Sequence, residues 1–198
     1  MKINLQALVN LCFGLYKDHP LRKIESCLQE NKDFYHYIPM HSDVLMHIIK
    51  DIEARNINLE SCNFLDAGCG MPVMPNLFKI LGCKHSIGLE YTELYAKVFS
   101  EVVKQGNILE YNFRDHDIIY SYNPIKNPLL MDKGLVRMKK TMKPGAILYF
   151  VSAQSHQKEV VLDMYRMKGC YNVLVYEKPK KKATKHSPLG TQLKKNNT

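Results

Sequence analysis

Nothing in this 198-residue chain approaches the ~18 consecutive apolar residues that span a bilayer. The first seventeen residues, MKINLQALVNLCFGLYK, are broken by Asn and Gln and lack the continuous apolar stretch of a secretory signal. These two absences lead us to expect a soluble, cytoplasmic protein with no membrane partner. The six cysteines, at 12, 27, 62, 69, 83 and 170, form no C-x-x-C pair. That spacing argues against a structural zinc site and favours free thiols. The eight histidines include no H-E-x-x-H pattern, so no metal is expected from them either. No internal repeat is visible. The length suits one sizeable core and is short for two.

Acids are missing from one end only. The chain holds 28 Lys/Arg against 19 Asp/Glu, a net charge of +9, and seven of the lysines fall from Lys178 onward, where no acid occurs. The preceding body, with 21 basic and 19 acidic residues, is nearly neutral. The stretch KPKKKATKHSPLGTQLKKNNT is poor in apolar residues and reads as a disordered basic tail over 179–198. Its default reading is a solvated tail; the sharper one is attraction to nucleic acid or an acidic partner.

What is present falls into two textures. Residues 1–60 read as helical. Apolar residues recur at helical spacings from Ile3 to Leu15, Pro20 opens a second helix, and Ser42 caps a third carrying Val44, Leu45, Ile48, Ile49 and Ile52. Between them, FYHYIPM is extended or turned, because Pro39 disfavours helix at Ile38. From Cys62, short apolar runs alternate with helical stretches. Strands are expected over 63–67, 85–90, 102–105, 117–122, 146–152 and 171–177, and helices over 75–81, 92–99, 129–141 and 157–167. Alternation of this kind means a doubly wound, mostly parallel α/β sheet with helices on both faces, in a single domain over 1–178.

The candidate site follows from that frame. Ligands of open α/β sheets bind beyond the carboxyl ends of the strands, where strand order reverses. The first strand ends at Asp66, and Gly68 and Gly70 follow. Glycines there let a backbone turn sharply and approach a ligand. The second strand ends at Glu90, twenty-two residues after Gly68. An acid at that distance can accept both hydroxyls of a ribose. Cys69 has no base beside it in sequence and reads as a small loop residue rather than a nucleophile.

In order, FLDAGCG, IGLE, QGNIL, DIIYSY and KPGAILYF resemble the successive motifs of class I S-adenosylmethionine-dependent methyltransferases, over 37–152. The resemblance implies a Rossmann-like fold, an enzyme, and S-adenosylmethionine as cofactor. It implies that Asp66 orders the loop near the methionine moiety, that the backbone of Ala67, Gly68, Cys69 and Gly70 packs on the cofactor, and that Glu90 holds the ribose. Asn107 and Ile108 stand where the family contacts adenine, with Asn107 replacing the usual acid. Tyr91 and Tyr120 join the implied cofactor contacts, and Tyr37, in the YIP segment, is a lid contact. Two departures stand out. Met71 and Pro72 occupy the place of the third loop glycine, which an NAD enzyme needs for its pyrophosphate and S-adenosylmethionine does not. Only six strands are evident where the family has seven, so a trimmed sheet edge is expected.

The acceptor side should lie after the fourth strand, at Tyr122, Asn123 and Pro124. Asn123-Pro124 is similar to the start of the Asn-Pro-Pro-aromatic signature of adenine and glutamine-amide methyltransferases, but Ile125 and Lys126 follow. Texture around CKHSIGLE and DIIYSYNPI is loosely similar to protein-lysine methyltransferases, with Tyr37, Tyr120 and Tyr122 as possible channel rings. A protein side chain is thus the first expectation. Nucleic-acid or small-molecule methylation and a non-catalytic binding module are the alternatives.

Overall fold

The computed structural model describes residues 4–17, 19–21, 41–151 and 158–180. The expected second helix, the YIP segment with Tyr37, and the tail beyond residue 180 lie outside the described residues. The elements run α1 (Leu5–Lys17), α2 (Ser42–Ala54), a short 3₁₀ turn (Leu59–Ser61), β1 (Asn63–Ala67), α3 (Val73–Ile80), β2 (His85–Glu90), α4 (Glu93–Val98), β3 (Val103–Gln105), β4 (Ile118–Tyr122), α5 (Pro128–Thr141), β5 (Ile147–Val151), α6 (Lys158–Val161), β6 (Tyr165–Met167) and β7 (Cys170–Glu177). No described helix is long and apolar enough to cross a membrane.

Seven strands form one sheet in the order β3-β2-β1-β4-β5-β7-β6. The pairs β2–β3, β1–β2, β1–β4 and β4–β5 are parallel, while β7 runs antiparallel to both β5 and β6. The chain steps outward from β1 to β3 and returns to β4 on the other side of β1. Strand order therefore reverses between β1 and β4, and the crevice beyond their carboxyl ends is the place for a ligand.

The strands are buried on both faces, which explains their nearly unbroken apolar runs. Phe64, Ile118, Tyr149 and Val175 face α1, α2 and α3, packing with Val9, Ile48, Ile52, Leu77 and Phe78. Leu65, Ile119, Leu148 and Phe150 face the other way onto Met131, Leu135 and Met138 of α5. A polar clamp holds α2 to the far sheet. The Tyr149 hydroxyl and Arg55 Nε both donate to Asp51 Oδ2 at 2.7 Å, and Arg55 also reaches Glu177 at 3.1 Å.

Three expectations are corrected. The sheet is not trimmed: a C-terminal β-hairpin supplies a seventh strand. The helix expected over 157–167 breaks into the single turn α6 and strand β6. The cause is the two-residue turn Lys168-Gly169 between paired Met167 and Cys170, with Gly169 at φ +80. Glycine takes that left-handed conformation without strain, so the preceding residues are drawn into a hairpin. Finally, Ser42 is the first residue of α2 and not its cap; His41 holds the cap position in extended conformation.

Candidate functional site

Gly68 and Gly70 both adopt left-handed backbone, at φ +84 and +50. The loop is pinned by the neighbouring strand. The Gly68 and Cys69 amides both donate to the Leu89 carbonyl, at 2.8 and 3.1 Å. The Gly70 amide donates to Glu90 Oε2 at 2.8 Å, and Thr92 donates to Glu90 Oε1 at 2.9 Å. Glu90 thus braces the glycine loop from the end of β2.

Cys69 is buried, and burial followed by the charges of Asp66 and Glu90 pushes its thiol well above the ordinary value. A thiol so suppressed is no nucleophile at neutral pH. Its role is steric: Cys69 fills the space where a side chain at residue 88 would stand, a Cβ there lying 2.3 Å from Cys69 Sγ. Gly88 in the middle of β2 is thereby explained.

Asp66 shares its sheet face with Tyr120, its register partner on β4. It is 4% exposed and accepts no hydrogen bond from any described residue. Burial, and then the charge of Glu90, raises its carboxyl well above the usual carboxylate range. Burial favours the neutral acid, and a cationic ligand group beside it would draw it back to the charged form. The sign of its pH effect follows. The unfolded carboxyl titrates near 3.9 and the folded one above that. Its contribution is therefore fully favourable below about pH 4 and is lost as pH rises toward the folded value. In Asp66→Asn that slope should vanish, so the variant should overtake the wild type in stability above about pH 4. Urea unfolding across the pH range measures this; parallel curves would remove the buried charge as a destabilising element.

At the end of β4, the fully buried Ser121 hydroxyl donates to the Ala67 carbonyl at 3.0 Å, tying β4 to the mouth of the glycine loop. Tyr122 is half-buried. Asn123 takes a left-handed φ of +34, is buried, and its carboxamide has no hydrogen-bond partner among the described residues. Asparagine tolerates that conformation better than most residues, and a carboxamide without a protein partner has both a donor and an acceptor to offer a ligand. Pro124 lies directly against Gly68: a Cβ on Gly68 would stand 2.3 Å from Pro124 Cβ. The two loops at the switch point are therefore in contact.

The remaining expected residues divide. Ile108 is buried beneath Gly68 and forms the floor of the loop. Tyr91 is half-exposed beside Glu90. Asn107 turns inward on its own chain, accepting from the Leu109 amide at 2.9 Å and donating to Glu110 at 3.3 Å. Tyr120 is packed into the core on the α1–α3 side of the sheet. Among the described residues no group of three or more His, Cys, Asp or Glu is placed to hold a metal ion.

The departure at 71–72 also has a structural account. Met71 is buried with Leu21 and Tyr95, anchoring the N-terminal segment over α4. Pro72 caps α3, and Pro75 lies within its first turn. Neither proline removes a helix bond, since the first-turn amides have no intrahelical acceptor. Ser121 was not singled out from the sequence; only a small residue near the end of an apolar strand could have pointed to it.

The sheet order, the reversed final strand and the position of the glycine loop define a Rossmann-like methyltransferase fold. No protein-family model matches the sequence, and no curated protein matches it. Solved structures do. An RNA methyltransferase from Salinibacter ruber, in complex with S-adenosyl-L-homocysteine, is 14% identical, with 74% of this chain and 97% of that one covered at a TM-score of 0.52. A candidate RNA methyltransferase from Pyrococcus horikoshii is 14% identical, with 82% and 78% covered at a TM-score of 0.55. The fold of class I S-adenosylmethionine-dependent methyltransferases is the fold of this chain.

Proposed function

We propose that this protein transfers a methyl group from S-adenosylmethionine to a nitrogen of a planar amino or amide group. The observation that carries the reading is the acid pair at the switch point: Asp66 buried with no donor among the described residues, and Glu90 bracing the glycine loop. S-adenosylmethionine is cationic at its sulfonium and ammonium, carries a ribose diol, and has no phosphate for two carboxylates to repel. Asp66 would face the cationic end, Glu90 the ribose hydroxyls, and the backbone of residues 67–70 the body between them. Ile108 and Tyr91 would border the adenine, and Asn107 would fix the turn that presents Ile108. The cofactor, when bound, supplies an electrophilic methyl on positively charged sulfur.

The chain's own contribution is placement. An in-line displacement needs the acceptor nitrogen aligned and desolvated, and positioning alone supplies much of the rate. Asn123 offers one carbonyl oxygen to an acceptor N–H and one amide N–H to an acceptor oxygen or ring nitrogen. Its left-handed backbone, and a carboxamide with no partner among the described residues, support this role. A lysine acceptor would draw on an aromatic channel, but Tyr120 is packed in the core, so the planar acceptor is the better supported.

The test is transfer of labelled methyl from S-adenosylmethionine into cell extract separated into nucleic acid, protein and small molecules. Asn123→Gly keeps the left-handed backbone and removes the amide. It should lower transfer by about 100-fold, the scale of losing one well-placed polar contact in the transition state, while S-adenosylhomocysteine affinity changes less than threefold. Absence of cofactor binding in calorimetry would overturn the reading. Label confined to lysine side chains would overturn the choice of acceptor.

A further inference from the structure

We propose that the outer face of α5 is a track for a single nucleic-acid strand, leading to Asn123. The inference rests on the methyltransferase reading and names the carrier of its acceptor. Between residues 126 and 143 the chain places Lys126, Lys133, Arg137, Lys139, Lys140 and Lys143 against one acid, Asp132, which is buried. The rest of the body before Lys178 holds 15 basic against 18 acidic residues, so this charge is concentrated rather than spread.

Helical spacing sorts these cations. Met131, Leu135 and Met138 point into the core, which leaves Lys133, Arg137 and Lys140 together on the solvent side. Lys139 and Lys143 are committed to ion pairs with Asp163 and Asp117. Lys133 and Lys140 have no acid within ion-pair distance among the described residues. Arg137 is held in place by carbonyls instead of a carboxylate, donating to Tyr111 O at 2.9 Å and Glu110 O at 2.7 Å. Its orientation is fixed and those bonds do not neutralise its charge. On the same face Leu129 and Val136 are 58% and 50% exposed, giving apolar ground between the cations.

Position makes the stripe a track. α5 begins just after the loop that carries Asn123 and Pro124, with Lys126 between them. It runs for fourteen residues, about 21 Å at the helical rise. At its far end Lys178 Nζ donates to the Lys139 carbonyl at 2.5 Å, and the Lys180 side chain lies against Gly145. From there the sequence adds Lys181, Lys182, Lys185, Lys194 and Lys195 with no acid. Site and stripe thus form one basic line that runs on to Lys178 and Lys180. Phosphates along it would supply sequence-independent attraction, leaving recognition of the base to the site.

The test is anisotropy titration of the full chain with a labelled single-stranded RNA or DNA of about 15 nucleotides, across a range of salt. For Lys133→Gln with Lys140→Gln, the slope of log affinity against log salt should shrink by about 1.4, and low-salt affinity should fall roughly tenfold or more. Lys79→Gln with Lys84→Gln, exposed cations on the α3 side, should leave both unchanged. Equal losses in the two pairs would show attraction to total charge and overturn the track; so would binding of poly-glutamate with none of the oligonucleotide. S-adenosylhomocysteine calorimetry on the same samples separates the two ideas. Strand binding without cofactor binding would sink the methyltransferase reading alone, and cofactor binding without strand binding would sink the track alone.

Discussion

Replacing Gly68 with alanine is expected to lower the melting temperature by about 10 °C and to abolish S-adenosylhomocysteine binding. Two terms add. At φ +84 an alanine is strained by roughly 1–2 kcal/mol. Its Cβ would also stand 2.3 Å from Pro124 Cβ and 2.6 Å from Cγ, a rigid ring and not the free end of a long side chain. Overpacking of that kind costs roughly 1–3 kcal/mol. Together they reach about 2–5 kcal/mol, and each kcal/mol moves a domain of this size by about 2–4 °C. Relief can come only by parting the glycine loop from the β4 loop, which opens the crevice and displaces the backbone proposed to hold the cofactor. Gly68→Ala combined with Pro124→Gly removes the clash but not the strained backbone. It should recover part of the lost stability. Thermal unfolding and calorimetry on the three proteins decide it; wild-type behaviour of Gly68→Ala would mean the two loops do not touch.

That contact shows where sequence reading reaches its limit. Strands β1, β2, β4 and β5 were legible because burial on both faces demands short unbroken apolar runs, and glycine or proline bounded each one. The acid pair was legible through the spacing from Gly68 to Glu90. What Glu90 does in detail was not: bracing the Gly70 amide requires a loop conformation that only the neighbouring strand imposes. Gly88 is glycine because of Cys69, nineteen residues earlier, and no local pattern carries that pairing. The C-terminal hairpin was missed for another reason. EVVLDMYRM has a helical spacing of apolar residues, and local propensity lost to the Lys-Gly turn and to pairing with β7. The inward bonds of Asn107 to Leu109 and Glu110 depend on a turn the sequence only hints at.

The substitution at the third loop glycine reads differently once the fold is known. Met71 exchanges a close helix approach for a buried anchor shared with Leu21 and Tyr95. A dinucleotide's pyrophosphate would enter this crevice beside a buried carboxylate and Glu90. Phosphate charge beside two acids is unfavourable in a low-dielectric crevice. The same charges attract a sulfonium. The electrostatics of the site therefore oppose a nicotinamide enzyme more directly than the missing glycine does.

Glu90→Gln is the second large effect expected, and it separates the roles of the two acids. The carboxylate accepts from Gly70 through one oxygen and from Thr92 through the other, at 2.8 and 2.9 Å. Glutamine has a single acceptor oxygen, so one backbone amide would face an NH₂ group. A charge-assisted bond of this kind is worth about 1.5–3 kcal/mol. The loop should loosen, stability should fall, and S-adenosylhomocysteine affinity should drop about 10- to 100-fold, at 1.4 kcal/mol per tenfold. Asp66→Asn should also weaken the cofactor, by removing the complement of its ammonium group, but it accepts no bond from the loop and carries a buried charge that opposes folding. Its stability at neutral pH should rise. Opposite signs in stability with the same sign in affinity are the signature of one acid that holds the loop and one that awaits a cation. If both variants shift stability in the same direction, that division of labour is wrong.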